Sequence, residues 1–171
     1  MADAREVCDY CDCRDVAPIR ELSEDHQTIG QLATRLGQAL TAKGTGGPTG
    51  AEAAADGERS LRDLQDALRP HLELEEAGVF AQLSRRDGFT WYLGELMADH
   101  RAARNDLLGA DPRVSGWQSR VLSGLDRLAE HISVEEYDLF PASRMVIDDR
   151  GWGEVIAVHK RLGRSGGGVA I

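Results

Sequence analysis

His71-Leu-Glu-Leu-Glu75-Glu76-Ala-Gly-Val-Phe80 returns further along the chain as His131-Ile-Ser-Val-Glu135-Glu136-Tyr-Asp-Leu-Phe140. The shared pattern is H-x-x-x-E-E-x-x-x-F. Asp25-His26 precedes the first copy and Asp99-His100 the second, so the chain reads DH, HxxxEE, DH, HxxxEE. A histidine and a glutamate four residues apart lie on one helix face and present an imidazole and a carboxylate to the same point. With the two DH segments, the repeat predicts a pseudo-symmetric cage around two metal ions.

Each motif sits on a helical stripe. The stripes read Ile19, Leu22, His26, Ile29, Ala33, Leu36, Leu40; then Leu61, Leu64, Leu68, His71, Glu75, Val79; then Leu93, Leu96, His100, Ala103, Leu107; then Val121, Leu125, Leu128, His131, Glu135, Leu139. Spacings of three and four are those of a core-facing helix. Nothing reads as a strand. The expectation is an all-α, up-down-up-down four-helix bundle with a short C-terminal helical extension.

The connections fit that reading. A breaker-rich segment from Thr41 to Gly50 separates the first two helices, and Gly88 separates the second from the third. Gly109 to Pro112 ends the third, with Ser115 as N-cap of the fourth. Pro70 predicts a kink in the second helix, and Pro141 a bend or an end in the fourth. Asp148 to Gly153 reads as a connector, Glu154 to Leu162 as a short amphipathic piece, and Gly163 to Gly168 as disordered. The expected divisions are residues 1–16, a cysteine-containing arm; 17–145, the bundle; and 146–171, the extension and tail.

At 171 residues the chain is long enough for one domain with a real core. A net charge of −9 argues against sequence-independent binding to nucleic acid or an anionic membrane surface. No apolar stretch reaches the length of a membrane span, and the first residues lack the apolar core of a signal peptide. A cytoplasmic location is expected, and the closely packed trio Cys8, Cys11 and Cys13 suits a reducing compartment better than a disulfide framework.

Six residues interrupt the apolar stripes: His26, His71, Glu75, His100, His131 and Glu135. Burying unpaired charge is costly, and a metal pair would satisfy all six together. A lone histidine on an apolar face is usually a hydrogen-bonded core residue. Four of them with two i,i+4 glutamates are not readily explained so. Mixed imidazole and carboxylate ligation suits iron, manganese or zinc, and spacing does not choose among them.

On these residues the chain resembles the hemerythrin-like, or HHE cation-binding, family over roughly residues 17 to 145. The resemblance implies an up-down-up-down bundle holding two non-haem iron ions that react with oxygen. Carried over by residue, His26 and His71 would serve one iron and His100 and His131 the other, with Glu75 and Glu135 bridging. Two departures stand out. Animal oxygen carriers place a second histidine four residues after the one on helix three, where this chain has Arg104. Their last motif also spaces histidine and aspartate by five, where this chain has HxxxE, with Glu136 at the five-residue position. The leading expectation is a protein that binds or senses oxygen or related small molecules (nitric oxide, peroxide). The alternative is a di-iron oxidase or oxygenase acting on a small organic substrate.

Several further residues carry two readings each. Glu76, Glu136, Asp25 and Asp99 read as solvated surface or as outer groups supporting the ligands. Tyr92 reads as core or as a donor to a bound ligand, while Phe80 and Phe140 seal the cage. Gly78 and Ala103 either leave room for a diatomic ligand or permit close packing. Cys8, Cys11 and Cys13 read as an extra thiolate metal site with His159 as fourth ligand, as redox-responsive thiols, or as a reduced N-terminal arm.

Overall fold

The computed structural model describes residues 16–41 and 50–162. The cysteine trio, the glycine-rich tail and most of the loop before Gly50 lie outside the described residues. All regular structure among those described is helical. Helix α1 spans Ala17–Thr41. Helix α2, Gly50–Glu75, runs into a π-helical turn at Glu76–Phe80 and then α3, Ala81–Leu83. Helix α4, Thr90–Ala103, ends in a second π turn, Arg104–Leu108. Helix α5, Trp117–Val134, continues through a third, Glu135–Leu139, into α6, Phe140–Val146. Helix α7, Asp149–Arg161, completes the described chain.

The stripe residues fold inward as their spacing demands. Of those named above, only Ala33 and Leu40 are less than fully buried. They form two apolar clusters with the six polar residues between them. One contains Ile19, Leu22, Val79, Phe80, Leu93, Leu96, Leu139 and Phe140. The other contains Ile29, Leu36, Leu61, Leu64, Leu68, Ala103, Leu107, Val121, Leu125 and Leu128. Helices α1 and α4 pass from the first cluster to the second, and α2 and α5 pass from the second to the first. Helix α7 lies over the first cluster through Trp152, Val155 and Val158, against α1 and the π turn at Glu76–Phe80.

Some local expectations are corrected. Helix α2 continues without interruption through Pro70. A widened π turn in this run falls at Glu76–Phe80, beside the HxxxEE repeat. Pro141 does not end the fourth run: it opens α6 directly after the third π turn, at a position where a missing N–H is tolerated. Ser115 is not the cap of α5. Gly116 is, with φ of 80°, because the tight turns after Asp111 bring the chain into the helix through a left-handed residue. Helix α7 starts earlier than the amphipathic pattern predicts. The Asp148 carboxylate caps it by accepting from the Gly151 amide at 2.9 Å, and Gly151 packs so near Ile147 that a Cβ would lie 2.7 Å from it. Gly88, with φ of 94°, turns the chain between α3 and α4 as expected. No helix of the described residues is long and apolar enough to cross a membrane.

Candidate metal centre

The structure brings all six predicted residues into one buried layer. Glu75, Glu135 and His100 have no exposure, and His26, His71 and His131 almost none. Their inward atoms form two overlapping groups, His26, His71, Glu75, Glu135 and Glu75, His100, His131, Glu135. Within each group the potential ligand atoms lie within 4.8 Å of one another. The two glutamates belong to both. His26 Nε2 is 3.5 Å from Glu75 and 3.3 Å from Glu135. His71 Nε2 is 3.3 Å from Glu75, His100 Nε2 3.4 Å from Glu75, and His131 Nε2 3.2 Å from Glu135.

On their outer sides the imidazoles meet a second set of carboxylates, each from the helix before in cyclic order. His71 Nδ1 on α2 lies 3.4 Å from Asp25 on α1, and His100 Nδ1 on α4 lies 2.8 Å from Glu76, which follows α2. His131 Nδ1 on α5 lies 3.5 Å from Asp99 on α4. His26 Nδ1 on α1 lies 2.7 Å from Glu136, which follows the end of α5. The ring closes. The two glutamate contacts are short hydrogen bonds. Asp25 stands at the long limit of one, and the Asp99 contact acts through charge only, since His131 Nδ1 has no hydrogen-bond partner.

This arrangement accounts for the whole repeated motif. In HxxxEExxxF the histidine and first glutamate face the centre, while the second glutamate and the phenylalanine support the histidine of a neighbouring DH segment. Phe140 stacks on the His26 ring at 5.5 Å, and Phe80 on the His100 ring at 5.0 Å. The outer carboxylates are therefore partners of the imidazoles. Their spacing on a helix, one residue from an inward ligand, looked like solvated surface because sequence gives no view of the adjacent helix. The π turns contribute too: more residues per turn means less rotation between neighbours, which suits two adjacent glutamates facing one layer.

Two supporting groups escaped the sequence reading altogether. Ser23 donates to Glu136 at 3.1 Å. Arg104 forms a forked pair with Glu76, Nη1 at 2.7 Å and Nη2 at 3.1 Å. The residue standing where an oxygen carrier would have its fifth histidine thus holds the carboxylate behind His100. Burial works against ionised Glu76, but the bonds from Arg104 and then His100 outweigh it and lower its pKa.

The inner layer has an electrostatic deficit that cations would fill. The carboxylate oxygens of Glu75 and Glu135 and the Nε2 of His26 are buried without a hydrogen-bond partner. His100 Nε2 and His131 Nε2 face each other at 3.0 Å. Carboxylates behind both rings favour protons on Nδ1, which turns two Nε2 lone pairs toward one point. A shared cation resolves that conflict. Burial opposes charge on His26, but the adjacent carboxylates of Glu135, Glu136 and Glu75 outweigh it and hold its pKa well above the ordinary value. His131 is raised likewise, burial being outweighed by the adjacent Glu135 carboxylate. Glu75 is pushed well below the carboxylate range: the charge of His71 and the close approach of His100 and His26 overcome its burial. The donor set, its orphaned atoms and its charge fit a pair of cations.

The remaining candidates divide. Ala103 lines a small cavity beside His100 and His131. Gly78 leaves no such room, because a Cβ there would lie 3.3 Å from Val155, so this glycine permits α7 to pack. The Tyr92 hydroxyl is buried without a hydrogen-bond partner, and burial, then the charges of Asp138 and Glu135, raise its pKa to about 12. Its ring packs on the first apolar cluster. His159 is buried on α7, its Nδ1 2.7 Å from Glu21 of α1. Cys8, Cys11 and Cys13, and with them the site expected with His159, lie outside the described residues.

Comparison with curated proteins gave no match, and comparison with solved structures gave none. The family model described as the hemerythrin HHE cation binding domain matches residues 17–143. That span contains all six inner residues and their four outer carboxylates, and it makes up most of the chain. By this match, the chain belongs to the hemerythrin HHE cation-binding family.

Proposed function

We propose that His26 and His71 hold one iron ion and His100 and His131 another, with Glu75 and Glu135 bridging, and that the centre binds or senses oxygen or related small molecules. The observation that carries this reading is the pair of shared glutamates, fully buried with their carboxylate oxygens unpartnered between two histidine pairs. Iron bound there would supply electrons to a small ligand such as oxygen, nitric oxide or peroxide. The chain's own groups orient the imidazoles, exclude bulk water through Phe80 and Phe140, and balance the charge of the cations. The alternating order in which the four runs meet the two apolar clusters supports an up-down-up-down bundle.

A second reading, an oxidase or oxygenase acting on a small organic substrate, draws on Arg104. A chain with four inner histidines leaves more coordination positions to exogenous ligands than one with five. The cavity beside His100 and His131 weighs the other way, since it holds a molecule of about one water's size.

Metal analysis and gas titration test the proposal together. The purified full chain should contain two metals, with iron loading fully and restoring the same helicity. Reduced anaerobic protein mixed with oxygen or nitric oxide should change its optical spectrum and recover when the gas is removed. Zinc that iron cannot replace would end the oxygen reading, and fewer than two metals would end the shared-glutamate assignment. Oxygen consumption accelerated by an organic molecule would favour the oxidase.

A further inference from the structure

The π turn at Glu76–Phe80 carries both groups that hold the His100 ring. Glu76 bonds its Nδ1 at 2.8 Å, and Phe80 stacks on it at 5.0 Å. Gly78 lies midway between them in sequence. What bears on Gly78 is α7, an element beyond the residues matched by the family model. A Cβ at Gly78 would stand 3.3 Å from Val155 Cγ1 and 4.0 Å from His159 Nε2. Val155 is fully buried and His159 nearly so. The His159 Nε2 has no hydrogen-bond partner, while its Nδ1 lies 2.7 Å from Glu21 of α1. A nitrogen buried in this way costs free energy that an apolar side chain would not, so packing alone does not explain a histidine here. The bond to Glu21 fixes the ring that presses on Gly78. Just after the turn, Glu154 of α7 accepts from Gln82 at 2.9 Å and from Arg85 at 2.7 Å, which ties the same segment down a second time.

The duplicated sequence supplies an internal control. His71 corresponds to His131 and His26 to His100. Counting from them, Gly78 corresponds to Asp138, Arg85 to Met145 and Glu21 to Glu95. Asp138, Met145 and Glu95 are all exposed. The turn that supports His26, Glu135–Leu139, thus shows an aspartate to solvent where the turn that supports His100 shows a glycine to α7. The two imidazoles are held by the same kinds of group, but only the support of His100 is itself pressed upon by Val155 and His159.

From this asymmetry we propose that Val155 and His159 are positioning residues: by fixing Gly78 they hold Glu76 and Phe80 against the His100 ring. A shift of the turn would lengthen the hydrogen bond and part the stacked rings together, because both groups sit two residues from Gly78. Docking of α7 and occupancy of the His100–His131 position therefore strengthen each other, as linked equilibria must. The His26–His71 position is largely outside this coupling. The coupling to occupancy rests on the proposed centre, whereas the positioning of the ring can be read by itself.

The test is magnetic resonance of the histidine rings in the full chain, loaded with zinc and labelled with nitrogen-15 at histidine. Val155→Ala should move the ring signals of His100 and leave those of His26 in place. Zinc affinity at the His100–His131 position, followed through the same signals, should fall several-fold while that at His26–His71 holds. Equal changes at His100 and His26, or none at either, would overturn the proposal, since lost packing alone has no reason to choose between them. Adding Gly78→Ala to Val155→Ala puts a methyl group into the space the valine leaves, and should bring the His100 signals back toward their native positions. No return would count against the contact at Gly78 as the route. If Val155→Ala does not fold, Glu21→Ala, at a half-buried position, releases His159 and should move His100 selectively; an unchanged His100 then overturns the proposal by itself. The native chain's metal count judges the centre separately: fewer than two zinc ions would count against the proposed function and leave the ring comparison readable.

Discussion

The α1–α2 half and the α4–α5 half solve one problem with different residues. Both present two imidazoles to shared glutamates, and both back one histidine with a short carboxylate bond and a stacked phenylalanine. The means of holding that carboxylate differ. Glu136 is held by Ser23, one turn before the histidine it supports; Glu76 is held by Arg104, one turn after. Helix α1 is regular throughout, whereas the third run turns π-helical at Arg104–Leu108 and brings Leu107 against Gly124. The inner residues, and the carboxylates and phenylalanines behind them, keep the duplication; the groups that hold those carboxylates depart from it.

The largest effect should come from the residues that belong to both halves. Glu75→Ala or Glu135→Ala should abolish the two-metal site while largely preserving helicity, measured as metals per chain alongside circular dichroism. Retention of two metals in either variant would break the bridging assignment. His71→Ala and His131→Ala should each cost one metal preferentially, so a variant pair that loses both metals equally would blur the division into halves. Chelation of the native protein should lower its melting temperature, because the binding free energy of buried ligands is part of the folding free energy. An unchanged melting temperature would show that the inner layer is stable as a hydrogen-bonded core.

The inner layer was legible in the sequence because its signal is local. A histidine and glutamate four apart on an apolar stripe need only the helix period to be placed, and all six predicted residues converge. The four stripes were legible for the same reason. The outer ring was not, since Asp25 reaches His71 and Glu136 reaches His26 across helix interfaces whose rotation no periodicity specifies. One signal was available: the second glutamate of HxxxEE and the aspartate of DH recur with the ligands, and solvated residues have no reason to recur. The π turns, the start of α7 and the capping by Gly116 were hidden because each depends on tertiary packing or a single backbone angle.

Next in size is a contrast at equivalent core positions. Leu64 is fully buried, and Leu64→Ala should destabilise the fold by about 2–5 kcal/mol through lost burial and a residual cavity, read by chemical denaturation. A loss well below this range would mean that the first half collapses around the deletion and is less rigid than its filled core implies.

The two outer supports should differ less. Arg104→Ala removes a forked ion pair and leaves Glu76 with its bond to His100. Metal affinity at the His100–His131 position should fall by about 10- to 100-fold, the usual cost of losing an outer support. Ser23→Ala removes one neutral donor from Glu136, which keeps its bond to His26, so the loss at the other position should be smaller. Competition titration of the two metals in each variant reads this directly. Equal losses would mean that the supports are interchangeable despite their chemistry.

Gly124→Ala, the counterpart of Leu64→Ala, should have the smallest effect, and for the opposite reason. The added Cβ meets Leu107 Cδ2 at 2.8 Å, and Leu107 Cγ and Asp106 Cβ at 3.2 Å. Something must move. Replacing glycine by alanine within a helix is worth about 1 kcal/mol in the favourable direction. Overpacking typically costs about 1–3 kcal/mol, and here part of the contact is the movable end of a leucine. The net change should be a destabilisation of about 1 kcal/mol, with the displaced Leu107 moving toward the cavity. Alanine is then the final residue at both equivalent positions, yet one half fails by emptiness and the other by crowding. If Gly124→Ala proves stabilising, the close approach of α5 to the π turn is not what requires glycine there.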